Sequence, residues 1–323
     1  MKQITAILAI LVGFTMSAQV GIGTTSPDAA AALDVVSTSQ GLIPPRMTGA
    51  QRDVISNPPA GLMLWCSDCG NGELQVFNGT AFTNMTGGVA KAYSYQTQIG
   101  SDIDGEAQYD NSGGSVSLSS DGTIVAIGAY GNDGNGNNSG HVRVYQNVSG
   151  TWTQLGSDID GEAANDESGI AVSLSSDGFT LAIAAKWNDG NGSNSGHVRV
   201  YQYASSTWSQ LGSDIDGEAA SNYSGYSVSL SGDGTTVAIG STHNSSAYSG
   251  AGHVRVYQYG SSWIQLGNDI DGEANWDASG SSVSLSDDGA IVAIGATDND
   301  GGGTNSGAVW VYEYNSGTSS WTK

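Results

Sequence analysis

Positive charge is what this chain has least of. Only 9 Lys and Arg stand against 31 Asp and Glu, a formal net charge of -22 over 323 residues. A surface of that sign repels nucleic acid and anionic lipid, which removes both from the expected partners. It recruits cations or basic partners instead, or simply keeps an exported protein soluble. Cysteine is nearly absent as well. Cys66 and Cys69 have no second pair and no nearby His, so a four-ligand structural zinc site at this motif is excluded. In an oxidising compartment the pair is expected either to close a local disulfide or to remain as two thiols. No stretch beyond the N-terminal residues approaches the roughly 20 apolar residues that span a bilayer, so no transmembrane segment is expected. What the chain has in plenty is glycine, 48 residues, with abundant Ser, Asn and Thr, a composition for many short strands joined by tight turns.

The first residues, Met1-Lys2-Gln3, precede an apolar run from Ile4 to Phe14 and small or polar residues at Ser17, Ala18 and Gln19. That order is the pattern of a secretory signal peptide, expected over residues 1–18, and it implies a secreted or cell-surface protein. Beyond it the chain repeats itself. SDIDGEA begins at Ser101, Ser157 and Ser213 and returns as NDIDGEA at Asn268, spacings of 56, 56 and 55 residues. A second marker, GHVRVYQ, keeps the same period through His141, His197 and His253, and becomes GAVWVYE at Ala308. Each unit holds four strand-length pieces, in the first copy SVSLS, TIVAIGA, HVRVY and TWTQLG. In SVSLS, Val116 and Leu118 alternate with serines, as a strand with one apolar face requires. In TIVAIGA both faces are apolar, which predicts a strand buried between neighbouring sheets.

SDG, NDGNG and NVSG join these pieces with good turn chemistry, so one unit reads as a four-stranded antiparallel meander. Tandem meanders predict an all-β fold, a propeller-type array of four blades at about 101–156, 157–212, 213–267 and 268–323. YQTQIG, Tyr95 to Gly100, resembles the fourth strand and precedes the first copy, while the last copy stops at Trp321-Thr322-Lys323. Either that early strand completes the final blade and closes a ring, or the chain is part of a longer array, the reading favoured by the low blade count and the lack of a capping sequence.

The repeated string S-G-x-S-V-S-L-S-x-D-G-x-x-V-A-I-G-A, followed by a loop and G-H-V-R-V-Y, resembles the FG-GAP repeat family, which includes integrin α-chain propellers and many bacterial surface proteins. The resemblance covers residues from about Tyr95 to the end, within an expected domain of 89–323, and implies a propeller with a role in binding or adhesion. The Phe of the name-giving pair is replaced: Ser precedes Gly113, Gly169, Gly225 and Gly280. Integrin-type calcium sites lie between the first two strands, where this chain has only a short SDG turn, so those sites do not carry over. Residues 19–88, with VGIGTTSPDAAAALDV, LIPPRMTGAQRDVI and GLMLWCSDCGNGELQVFNGTAFTNM, resemble an N-terminal module of flavobacterial surface proteins and pieces of phage tail fibres. That resemblance implies a stalk or attachment role. Short strands are expected at 32–36, 62–66 and 73–77 and a helix near 50–55, with too little apolar mass for stability without self-association or docking.

The acidic motif is the main candidate for chemistry. Asp102, Asp104, Glu106 and Asp110 recur as Asp158, Asp160, Glu162 and Asp166, as Asp214, Asp216 and Glu218, and as Asp269, Asp271, Glu273 and Asp277. In an extended segment residues two apart share a face, so three carboxylates of one copy are expected to converge, and a set of hard oxygens points to calcium. The competing reading is a solvated loop, or carboxylates bonded to turn amides. The NDGNG loops, His141 with Arg143, and Trp152 with its equivalents repeat at fixed positions and are expected to serve blade architecture. Trp187 and Trp276 fall outside that register and are the candidates for ligand contact. His243 is the one histidine outside the repeat position and has no nucleophile motif around it, so no enzyme is expected. The leading expectation is an exported binding or adhesion protein for an extracellular protein or glycan. The alternatives are a structural spacer or surface-layer component, and a propeller-type polysaccharide hydrolase.

Overall fold

A computed structural model describes residues 20–26, 31–39, 41–69, 72–84 and 98–323. The expected signal peptide and the first residues of the YQTQIG segment lie outside these. The chain divides into two compact units, Met1–Thr97 and Gln98–Lys323.

The second unit is four antiparallel meanders. In the first blade the strands are Ser115–Leu118, Ile124–Ala129, His141–Val148 and Thr151–Gln154, side by side in chain order. The other blades place the same sequence pieces in the same positions. Asp121 shows why the SDG turn closes each inner hairpin: its Oδ1 accepts from the Ser119 hydroxyl and from the Thr123 amide and hydroxyl, satisfying the turn locally. As expected, the second strand is buried along its whole length in the first three blades.

Each blade packs its inner strands against the next. Ile124, Ala126, Val142 and Val144 of blade one share a core with Val172, Leu174 and Leu181 of blade two. The seam is also polar. Ser117 Oγ accepts from the Leu174 amide at 2.9 Å, and Ser173 and Ser229 do the same for Leu230 and Leu285. Ser117, Ser173 and Ser229 therefore face the following blade, not solvent, and in blades two and three the strand is engaged on both sides. The inner turns are joined in series by backbone bonds: the Ser120 amide donates to Ser176, the Ser176 amide to Gly232, and the Gly232 amide to Asp287. Such a series pulls one end of every blade toward a common axis, and Ser176 Oγ reaches Asp287 of blade four at 3.0 Å.

A fifth, two-residue strand was not foreseen. Ile159–Asp160, within SDIDGEA, pairs with His141 and Val142 of the preceding blade, and Ile215–Asp216 and Ile270–Asp271 repeat the arrangement. The second, third and fourth acidic motifs are thus stitched to the third strand of one blade before the chain turns into the next. The segment ahead of the first copy docks on the first blade, where the Ile99 carbonyl accepts from Trp152 Nε1 at 2.7 Å. Leu155, Leu211 and Leu266 hold Trp208, Trp263 and Trp321 identically. Ile99 therefore occupies, on blade one, the place that a preceding blade's end occupies elsewhere; it does not complete blade four. The two end faces are bare: Val116 and Leu118 on one, Val309 and Val311 on the other, are more than half exposed.

The first unit, where described, is slight. Val20–Ile22 pairs in parallel with Leu33–Val35, and Arg46–Met47, Met63–Cys66, Glu73–Phe77 and Phe82–Asn84 form a four-stranded sheet. A five-residue helix, Gly49–Asp53, starts at Thr48, whose hydroxyl and Gln51 make reciprocal capping bonds. Cys66 and Cys69 form a disulfide and, with Leu64, the small core.

Candidate functional site

The third strand of each of the first three blades carries a buried His and, two residues on, a buried Arg on the same face. His141 and Arg143 are enclosed by two successive acidic motifs. From the motif before the blade, the Asp104 carbonyl accepts from Arg143 Nη2 at 2.7 Å, and Glu106 lies 3.5 Å from Arg143 Nη1 and 3.8 Å from His141 Nδ1. From the motif after it, Asp158 Oδ2 lies 3.9 Å from the same Nδ1. The second junction repeats this with Arg199, Asp160, Glu162, His197 and Asp214. The third does so with Arg255, Asp216, Glu218, His253 and Asp269, and adds Asp271 at 4.0 Å from His253 Nδ1. In the fourth copy Ala308 and Trp310 replace His and Arg. There Lys323 bonds Glu273 at 2.5 Å and lies over the Trp310 ring.

These enclosures shift the groups that titrate in them. Burial, helped by the Arg199 charge and opposed by Asp214, lowers His197 to about 4, so its ring is neutral at neutral pH. Burial raises Glu162 against the pull of Arg199, and burial raises Asp216 and Asp271 as well. Asp269 is held low, first by the nearby His253 ring and then by the Gln265 amide. Shallow clefts of about 310 and 250 Å³ open beside the first two motifs, at Asp102 and Asp104 and at Asp158 and Asp160.

The expected cluster of three carboxylates from one copy is not what the fold assembles. Among the described residues, the groups of closely spaced acids in this unit take Glu from one copy, Asp from the next and His from the strand between. The reason is the turn at Gly105 and its equivalents, which sends the Glu toward the following blade, while the Asp before it, as Asp160, Asp216 and Asp271 show, stays paired at a strand edge. Asp110, Asp166 and Asp277 turn inward: each accepts from a backbone amide three residues earlier and from Asn132, Asn188 or Asn299 of the rim loop. The loops fasten blades, as Asn135 shows by donating to the Gly161 and Glu162 carbonyls of the next copy.

At the same rim lie the aromatic candidates. Trp187 stacks edge-on to Tyr223, which meets His243 in turn, and Lys186 lies over Trp187 and Tyr226. Trp276 is 62% exposed and has a φ of +64°. The equivalent residues Tyr109, Asn165 and Ser221 share that left-handed conformation, so the turn imposes it whatever the side chain. Tyr223 stands at a second left-handed position, with Asn111, Glu167 and Ala278 as equivalents. Sequence reasoning picked out the two tryptophans by register but missed Tyr223 and Tyr109; variation at a fixed distance after DGEA was the available signal.

Residues 21–102 match the family described as phage tail like trimerisation region, and residues 102–145 match the FG-GAP repeat. No curated protein matches the chain. Among solved structures, Kuenenia stuttgartiensis hydrazine synthase is similar at 13% identity and a TM-score of 0.43, over 72% of this chain and 51% of its own. The chain thus spans about half the length of that protein. A Bacteroides uniformis protein described as a 6-phosphogluconolactonase is similar at 11% identity and a TM-score of 0.45, over 80% of this chain and 68% of its own.

Proposed function

We propose that this chain is an exported surface protein whose N-terminal region self-associates and whose propeller rim binds an extracellular glycan or protein. The observation that carries the reading is Trp276. Its backbone is left-handed, a conformation that favours Gly or Asn, and a bulky residue there costs stability. Its ring is largely exposed, so little packing offsets that cost. A strained, exposed aromatic residue in a variable loop on a rigid scaffold is best accounted for by ligand contact. The half-buried pair Trp187 and Tyr223, with Lys186, extends aromatic surface along the same rim. The chemistry-bearing side chains recur blade by blade instead of gathering in one asymmetric site, which supports binding over catalysis.

The test is a panel of glycans and extracellular matrix proteins presented to the purified chain and to Trp276→Gly. Selective binding that falls at least tenfold in the variant, with thermal stability unchanged or slightly raised, is the expected result. Binding that ignores the substitution, or none at all, would remove the rim from consideration. A second reading, a spacer without ligand, is favoured by the bare apolar end faces; it predicts polymers in light scattering and no selective binding.

A further inference from the structure

Buried polar groups in folded proteins nearly always have partners, and those that lack one ask for an explanation. At the third junction the His253 side chain is fully buried, and neither of its ring nitrogens has a hydrogen-bond partner. Its Nδ1 points into a group of carboxylates: Asp269 at 3.5 Å, Glu218 at 3.9 Å and Asp271 at 4.0 Å. None of these contacts is a hydrogen bond. The same trio of side chains stands at the other two junctions, with all ligating atoms of each trio within 4.8 Å of one another.

We propose that each of the three junctions binds one divalent transition-metal ion of the zinc type, held by His141, Glu106 and Asp158, by His197, Glu162 and Asp214, and by His253, Glu218 and Asp269. The donor set decides the ion. An imidazole nitrogen with two carboxylate oxygens suits zinc, whereas calcium takes a cage of oxygens and has little use for an imidazole. The spacing is close to what is needed: ligands about 2.1 Å from a tetrahedral ion stand roughly 3.4 Å apart. The ring-to-carboxylate distances of 3.5 to 3.9 Å need to contract by only a few tenths of an ångström, and the carboxylates that would move are partly exposed. The outer contacts are also in place. Each Arg engages Oε1 of the Glu and leaves Oε2 toward the ring, while Gln154, Gln210 or Gln265 donates to Oδ1 of the Asp and leaves Oδ2 toward it. The fourth copy lacks the His and fills the space at Glu273 with Lys323, so it is an internal control.

The experiment is metal analysis of the full mature chain after equilibration with Zn²⁺ and dialysis, with Co²⁺ absorption spectra as a second readout. Three ions per chain are expected, two in His253→Gln, two in the milder Glu218→Gln, and three in Glu273→Gln. Visible Co²⁺ bands should fall by a third with each site removed, and Ca²⁺ should not displace the ion. Retention of three ions by a triple variant at His141, His197 and His253, or no zinc bound by the folded wild type, would overturn the assignment.

Discussion

His197 is a residue whose surroundings set a measurable pH dependence. Its ring is held at about 4, against an ordinary 6.5, mainly by burial. The unfolded chain therefore takes up a proton between pH 6.5 and 4 that the folded chain refuses, so lowering the pH through that window costs stability, and the cost levels off below it. Between pH 7 and 5 the loss amounts to about 2 kcal/mol at most. Glu162, raised by burial from its ordinary 4.5, works in the opposite direction and offsets part of this loss. Urea unfolding of metal-free protein at pH 7 and pH 5 should show a smaller drop for His197→Gln than for the wild type. Equal drops would mean that the ring is protonated in the fold. The His repeat itself was legible in the sequence; that its ring is sealed between two acidic motifs was not, because those motifs are many residues away on either side.

At the scale of the strand, identical residues do different things in different blades. Val198 and Val309 occupy the same place in HVRVY and AVWVY, yet Val198 is fully buried against blade three and Val309 is 71% exposed. Val198→Asp places an unpaired charge in a seam and should cost more than about 4 kcal/mol. Val309→Asp should change stability by less than about 0.5 kcal/mol. Chemical denaturation of the two variants checks this; comparable losses would mean that blade four's outer face is covered in solution. Gly196 marks the tightness of the same seam. Its φ is +71°, and a Cβ there would stand 2.1 Å from the Ser224 carbonyl oxygen, so only glycine allows the bridge between these strands.

For the molecule as a whole, the N-terminal unit carries the strongest sign of self-association. Val20, Ile22, Leu33, Leu42 and Ile43 are all more than half exposed, a large apolar area for so small a unit. With the match to a trimerisation region, the expected mass in solution is about three times the 32.9 kDa of one chain. Ile22→Asp combined with Leu33→Asp should return it to one chain, as read by sedimentation. A single-chain mass for the wild type would remove the attachment role proposed for this unit.

The sequence by itself determined the repeat period, the four strands of every blade, the turn between the first two and a short helix near 50–55, because each follows from neighbours a few residues apart. It also determined that the second strand is buried on both faces, since alternation is lost there. It left open whether Cys66 and Cys69 are joined, and it gave no means to see that the serines of VSLS bond the next blade. Only the tertiary structure decided which acids meet. Spacing of two suggested Asp102, Asp104 and Glu106, but the turn at Gly105 divides them, and packing of successive blades brings Glu106, His141 and Asp158 together instead. Such a grouping depends on where three distant pieces of chain come to rest, and local periodicity carries no record of that.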